Sequence, residues 1–502
     1  MNTFTMDRRH FLGGTLGALL VGCGGSDSET DRNLDFALSR LDELTADLMA
    51  RSGVPGVAVA VVRGDEKLYA KGFGRRDLRS SDLVDADTVF QLASMSKAVG
   101  ATVVAGEVGR RQIRWDQHMQ ELLPWFALSD AQASQVLTLA DLYAHRTGLQ
   151  EHIGDLLEEE EGYDQREVLE RLRYAPIEGF RQRFAYTNFG ITAAGVAVAA
   201  HAGLDWAALS EQRLYQPLGM RRTSSRFDDF MQRDNRVTGH RWINHEWRVH
   251  PLRMPDAQGP AASVTSSVND LAKWLSLLLG EGAFAGQRIV EQAALAPAVS
   301  PQMASPGRPT SHYGYGFNVG TTSAGHRIYG HGGAFLHGTS TSCTVLPWAN
   351  IAIVALTNGS PVGLPESLCA EFVDLIEYGA KQDIDYLDAF KPVVEGMNRP
   401  QGSLVGVSPP ASPAAPAPLS AYAGRYRNDF YGPLQVDVVD GALQLTLGAT
   451  PLRLPLRHWG GDVFTFTPKV FPAGSISQAS FADQQVTLEL YDDDRGLATF
   501  VR

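Results

Sequence analysis

The sequence predicts a mixed α/β (α+β) domain followed by a small all-β barrel or sandwich. Strand-like text at Val57–Val62, Lys67–Phe73 and Arg327–Thr357 brackets a long helical region. A Pro/Ala/Ser stretch then gives way to a segment of alternating strands and turns.

The first helix is read from Leu34, Leu38, Leu41, Leu44 and Leu48, which share one helix face, with Gly53 just past its end. Val57–Val62 and Lys67–Phe73 flank Arg63-Gly64-Asp65-Glu66 and read as a hairpin. Met95–Val108 is apolar nearly all round, so this helix belongs in the protein interior. Residues 120–300 mix helical patterns with polar connections. Within them Thr265–Leu279 is amphipathic, turning Leu271, Trp274, Leu275 and Leu278 inward before Gly280. Glu366–Tyr378 reads as a closing helix.

Six prolines among Ala and Ser make 399–418 extended and unable to pack, the centre of a linker placed at 391–418. The larger domain is set at 34–390 and the β domain at 419–502. Asp440-Gly441 between Leu434–Val439 and Ala442–Leu447 is a hairpin signal.

The N-terminus reads as an export signal over 1–23, followed by a polar spacer at 24–33. Arg8 and Arg9 precede a run, Phe11–Gly22, of about a dozen residues, too short to cross a bilayer as a helix. Asp7-Arg8-Arg9-His10-Phe11-Leu12 resembles a twin-arginine signal, and Leu20-Val21-Gly22-Cys23 resembles a lipobox. On that reading Cys23 is lipidated and tethers an exported chain to a bacterial envelope or periplasmic membrane surface. A plain signal peptide with an incidental cysteine is the competing reading.

A net charge of −12 excludes a backbone-binding nucleic-acid protein, which needs a basic face. With three cysteines, at 23, 343 and 369, no disulfide framework is expected, and Cys343 and Cys369 read as buried thiols. His240, His245 and His250 with Glu246 miss zinc-peptidase spacing, and Trp242 and Trp247 make that segment a hairpin. No metal or cofactor is expected, and the partner is a small molecule.

Three motifs carry chemistry. In Ser94-Met95-Ser96-Lys97 the lysine falls one helical turn beyond the serine, on the same face. Desolvation and the positive helix end both favour a neutral amine there, a base for the serine hydroxyl. The helix start also offers the Ser94 N–H to an oxyanion. A capping serine and a surface lysine would be the bland alternative, but this helix has no solvated face. In Tyr186-Thr187-Asn188 a phenol relays protons and an amide orients a carbonyl; taken alone, a tyrosine beside an apolar stretch is usually core, and Tyr426-Arg427-Asn428 has the same form. In His331-Gly332-Gly333-Ala334, two strand glycines permit close backbone approach, and the Ala334 N–H is placed to complete the oxyanion hole. A glycine bulge is the alternative there.

In this order the motifs resemble the serine β-lactamase and penicillin-binding protein family, specifically the group of class C β-lactamases, DD-peptidases, D-aminopeptidases and esterases. Leu142-Tyr143-Ala144-His145-Arg146-Thr147-Gly148-Leu149, Tyr313-Gly314-Tyr315-Gly316-Phe317 and Pro260–Trp274 share the likeness. The resemblance implies a β-lactamase/transpeptidase-like antiparallel sheet flanked by helices, with a helical subdomain. It implies Ser94 as nucleophile, Lys97 and Tyr186 as the proton-handling pair, Asn188, His331, Gly332 and Gly333 as substrate-binding, and Ser94 and Ala334 N–H as oxyanion donors. Where many relatives carry Lys-Thr-Gly this chain has His331-Gly332-Gly333, without the lysine charge that would hold a substrate carboxylate. Esters, or amides and peptides of D-amino acids, therefore fit better than β-lactams. A β-lactamase, or a non-enzymatic acylatable or peptide-binding sensor at the membrane, are the alternatives.

Overall fold

The computed structural model describes residues 26–243, 245–306, 310–492 and 496–502. The twin-arginine and lipobox readings, Cys23 included, lie outside the described residues. The helices that bear on the site are α1 (Ser26–Ser52), α2 (Ser96–Gly109), α3 (Asp155–Glu159), α4 (Asn188–His201), α5 (Val268–Leu279) and α6 (Leu364–Tyr378).

The described residues divide into two compact units, one formed by 26–115 and 198–394, the other by 116–197 and 395–502. Residues 116–197 thus group with the C-terminal segment.

The first unit is built on an antiparallel sheet of β1 (Gly56–Arg63), β2 (Glu66–Gly74), β3 (Met303–Ala304), β4 (His312–Tyr313), β5 (Asn318–Thr321), β6 (Arg327–Phe335), β7 (Thr339–Leu346) and β8 (Ile351–Thr357). Their spatial order is β2-β1-β8-β7-β6-β5-β4-β3. Val57–Val62 is buried throughout because β1 lies inside the sheet, and it pairs with β8 from Val57 opposite Thr357 to Arg63 opposite Ile351. An uninterrupted apolar strand is what burial on both faces requires.

One core joins Leu34, Leu41 and Leu48 of α1 to Val57, Val59 and Val61 of β1, Ile351 and Ile353 of β8, and Leu368, Phe372 and Ile376 of α6. α5 buries Leu271, Trp274, Leu275 and Leu278; each fully buried side chain of this kind contributes about 1.5–3 kcal/mol. The helix starts at Val268, three residues later than the sequence suggests. Ser267 caps it by accepting from Asp270 N–H, and Thr265–Ser266 is instead a short strand paired with Phe90–Gln91.

α2 is buried from Ser96 to Glu107. Its polar members are partnered: Thr102 Oγ1 accepts from Trp274 Nε1 (3.1 Å) and Glu107 Oε1 from Arg213 Nε (2.6 Å).

In the second unit, nine strands follow Leu419–Tyr422: β9 (Gly424–Asn428), β10 (Gly432–Val439), β11 (Ala442–Leu447), β12 (Leu452–Pro455), β13 (Arg457–Gly460), β14 (Val463–Phe466), β15 (Ser477–Ala482), β16 (Gln485–Leu488) and β17 (Thr499–Val501). They form a nearly closed, barrel-like sheet in the order β12-β11-β10-β9-β17-β16-β15-β14-β13. Asp440 (φ 50°) and Gly441 (φ 79°) make the expected tight turn. The Pro-rich stretch is largely exposed, yet it is laid against this domain. Ile476 N–H donates to Gln401 O (2.9 Å) and Gly461 N–H to Ala414 O (2.8 Å).

Candidate active site

Ser94 sits in a single 3-10 turn, Ala93–Met95, immediately ahead of α2. Ala93 adopts φ 48°, a left-handed conformation costly for a residue with a Cβ, and it turns the chain sharply from Phe90–Gln91 into the helix. Lys97, in the first turn of α2, is fully buried. Its Nζ donates to Ser94 Oγ (3.0 Å) and to the Ala261 carbonyl (3.1 Å). Ala261 belongs to the Pro260–Trp274 segment, which the sequence singled out without assigning it a contact.

β6 runs beside the Ser94 turn. A Cβ on Gly333 would lie 2.2 Å from Leu92 O and 2.7 Å from Ser94 N, so only glycine lets the two backbones approach this closely. Gly333 pairs with Thr341 of β7 and Ala334 with Ser340. On its other edge β6 pairs with β5 only from Arg327 to Gly330; among the described residues no strand covers 331–335 there.

His331 is buried, and its pKa is pushed down to about 3, first by burial and then by the Lys97 charge; the Gly332 carbonyl opposes this weakly. Its Nδ1 faces the Gly332 carbonyl, so the proton sits there. Nε2 then accepts from Tyr313 Oη at 2.8 Å. The position that carries a lysine in many relatives thus holds a neutral ring. Tyr313 opens Tyr313-Gly314-Tyr315-Gly316-Phe317, whose Gly316 (φ 77°) lies against α2: a Cβ there would come 2.6 Å from Lys97 O.

Tyr186, Thr187 and Asn188 belong to the second unit, where the loop before α4 is held from both sides. His152 N–H donates to Tyr186 O (2.8 Å) and Ala185 N–H to His145 O (2.9 Å). Thr187 N–H donates to His145 Nδ1 (3.1 Å), which fixes His145 as the Nε2–H tautomer. The Tyr186 ring lies 4.5 Å from that of His145 and 5.6 Å from that of His152. Asn188 Nδ2 donates to Asp155 Oδ2 (2.8 Å), which also faces His152 Nδ1 (2.9 Å). His145 and Tyr313 stand in segments the sequence flagged, without roles; His152 and Asp155 carried no signal. Tyr426, which heads a similar tripeptide, is buried in β9.

His240, Cys343 and Cys369 are structural. His240 Nε2 accepts from Leu78 N–H (3.1 Å), and its Nδ1 faces Asn358 O (3.1 Å). Cys343 and Cys369 are buried free thiols, their pKa values raised by burial. Among the described residues no group of three His, Cys, Asp or Glu side chains is placed to hold a metal.

A serine hydroxyl against a sheltered lysine amine, at the head of an interior helix and beside a glycine-paved strand, is the arrangement of a serine hydrolase. The chain belongs to the beta-lactamase family, whose sequence model matches residues 41–376; residues 408–496 match a domain of unknown function, DUF3471. The unguisins hydrolase ungD of Aspergillus violaceofuscus is 25% identical over 476 residues, 86% of this chain and 82% of that protein. Penicillin-binding protein 4 of Amycolatopsis lactamdurans is 26% identical over 393 residues, 75% of this chain and 94% of that protein. The octameric penicillin-binding protein homologue from Pyrococcus abyssi superposes with a TM-score of 0.61 at 18% identity, covering 90% of this chain and 98% of that one, and it shares the fold.

Proposed function

We propose that this hydrolase cleaves esters, or amides and peptides of D-amino acids, through an acyl-enzyme on Ser94. The observation that carries the reading is the fully buried Lys97 amine 3.0 Å from Ser94 Oγ. Neutral Lys97 takes the hydroxyl proton as Oγ attacks the carbonyl carbon. The N–H groups of Ser94 and Ala334 receive the developing oxyanion. The carbonyl–leaving-group bond breaks, and Lys97 and Tyr186 return the proton to the departing oxygen or nitrogen. Water then adds to the acyl carbon, deprotonated by the same pair, and Ser94 leaves with its proton restored. Asn188 orients the substrate amide or ester.

The neutral His331 favours substrates without a free carboxylate, which sets β-lactams and peptides with a free C-terminus below esters and D-amino acid amides. Export and a lipid tether at Cys23 rest on the N-terminal sequence alone; radiolabelled palmitate incorporated by the wild type and not by Cys23→Ser is the expected result.

A parallel rate panel tests the activity: nitrophenyl esters, D-alanine amide, a D-Ala-D-Ala peptide and a chromogenic cephalosporin. Ester or D-amide turnover is expected to exceed that of the cephalosporin, and Ser94→Ala to lower kcat by at least about a thousandfold. Undiminished turnover in Ser94→Ala defeats the assignment.

A further inference from the structure

The two ends of α3 hold two different things. At its first residue, Asp155 Oδ2 accepts from Asn188 Nδ2 at 2.8 Å. Immediately past its last residue, the Glu160 carboxylate accepts the backbone N–H groups of Lys469 (2.7 and 3.0 Å) and Val470 (2.7 Å), in the turn after β14. α3 rises about 1.5 Å per residue, so a single rigid turn of about 8 Å separates these grips.

Both ends are packed. Gly154, before Asp155, has φ 91°, and a Cβ on it would lie 3.0 Å from the ring of Phe189, the residue after Asn188. Beyond Glu160, Thr450 N–H donates to Glu161 O (3.2 Å) and Tyr163 Oη to Tyr431 O (3.0 Å). Gly448 and Gly432 have no room for a Cβ: it would come 2.5 Å from Glu161 O and 2.5 Å from Tyr163 Oη respectively. The β domain is therefore docked on the segment that begins with Asp155.

A carboxylate only accepts hydrogen bonds, so Asp155 dictates that the NH2 end of the Asn188 amide faces it and the carbonyl end faces away. Removing Asp155 removes that constraint on the orientation of the amide. We propose that Asp155 is a positioning residue for Asn188, and that the C-terminal β domain contributes to substrate binding by holding α3 through Glu160. This inference rests on the proposed hydrolase reading, in which Asn188 orients the substrate.

The test uses the full-length chain with D-alanine amide and a nitrophenyl acetate ester. Asp155→Ala and Asn188→Ala are each expected to raise KM for the amide about tenfold, and the double variant to match Asn188→Ala alone. Asp155→Asn, whose Oδ1 still accepts, is expected to stay within about threefold of wild type. Glu160→Ala is expected to raise amide KM about three- to tenfold while the acetate kcat changes less than about twofold. Additive effects in the double variant overturn the Asp155 role. A Glu160→Ala chain with a lowered Tm and an unchanged amide KM shows a purely structural β domain and overturns that half. If Ser94→Ala itself keeps its activity, the hydrolase reading falls; if Ser94→Ala is inactive and the cycle is additive, the inference alone falls.

Discussion

Tyr313 Oη donates to His331 Nε2 at 2.8 Å while His331 Nδ1 faces the carbonyl of Gly332, so a single tautomer of the ring is fixed from both sides. Both side chains are buried, and their rings meet edge to face at 88°. The tyrosine therefore holds a neutral polar group on β6, two residues before the glycine that abuts Ser94.

Tyr313→Phe deletes the donor and keeps the ring. Losing a buried hydrogen bond of this kind costs about 1–3 kcal/mol. The expected result is a lower Tm and a reduction in kcat/KM of about five- to tenfold, with 15N NMR of His331 reporting a changed Nε2 environment. With its pKa near 3, wild-type His331 should add no limb to the pH–rate profile between pH 5 and 8. An ionisation there that disappears in His331→Asn contradicts the neutral assignment.

Lys97 separates stability from catalysis. A fully buried amine in an apolar helix is a cost to folding, and an unbranched apolar side chain of similar length fits the same space. Lys97→Met is expected to leave Tm unchanged or raise it, while kcat/KM falls by at least about a thousandfold. Thermal melting and ester hydrolysis measured on one preparation check both. A folded, fully active variant removes Lys97 from the proton path.

Gly333 and Gly332 are neighbours with different tolerances. A Cβ on Gly333 meets backbone atoms at 2.2–2.9 Å, whereas on Gly332 its nearest neighbour is Thr341 O at 3.1 Å. Backbone cannot move aside cheaply, so Gly333→Ala must push the Ser94 turn away from β6. It is expected to lower Tm by several degrees and to cut kcat by at least about tenfold, with Gly332→Ala clearly milder on both measures. Equal effects would mean that the close approach at Gly333 does not set the position of Ser94.

The sequence made some of this legible because the signals are local. Ser94 and Lys97 are close in sequence, and a helix apolar nearly all round is placed inside by that alone. Asp440-Gly441 announced its own hairpin. The left-handed Ala93 had no such signature, because nothing in an alanine marks a positive φ; regular helix accordingly begins at Ser96, with Ser94 in the turn before it. The partners that orient the motifs are also silent: Asp155 reaches Asn188 across 33 positions and Tyr313 reaches His331 across 18. No periodicity records such pairings. The proline-rich composition reads as extended and unable to pack, yet Gln401 O and Ala414 O serve as acceptors for the β domain.

Glu366 supplies the pH dependence. It lies in the first turn of α6, behind β6 and β7, where a Cβ on Gly332 would be 4.0 Å from its Oε1 and Ser340 Oγ donates to it at 3.4 Å. Burial pushes its pKa up to about 7; its own backbone N–H and Ser340 offset this only in part. The sign follows from proton uptake. Below about pH 4.5 the carboxyl is protonated in both folded and unfolded chains and costs nothing. Between about 4.5 and 7 the unfolded chain has lost the proton that the folded chain keeps, so folding stability declines as pH rises, and above 7 the penalty is constant. Glu366→Gln cannot ionise. Its Tm, compared with wild type at pH 5, 6, 7 and 8, is therefore expected to gain steadily on the wild type up to about pH 7 and then run parallel to it. A difference in Tm that stays flat from pH 5 to 8 would mean that the carboxyl ionises as readily in the folded chain as in the unfolded one.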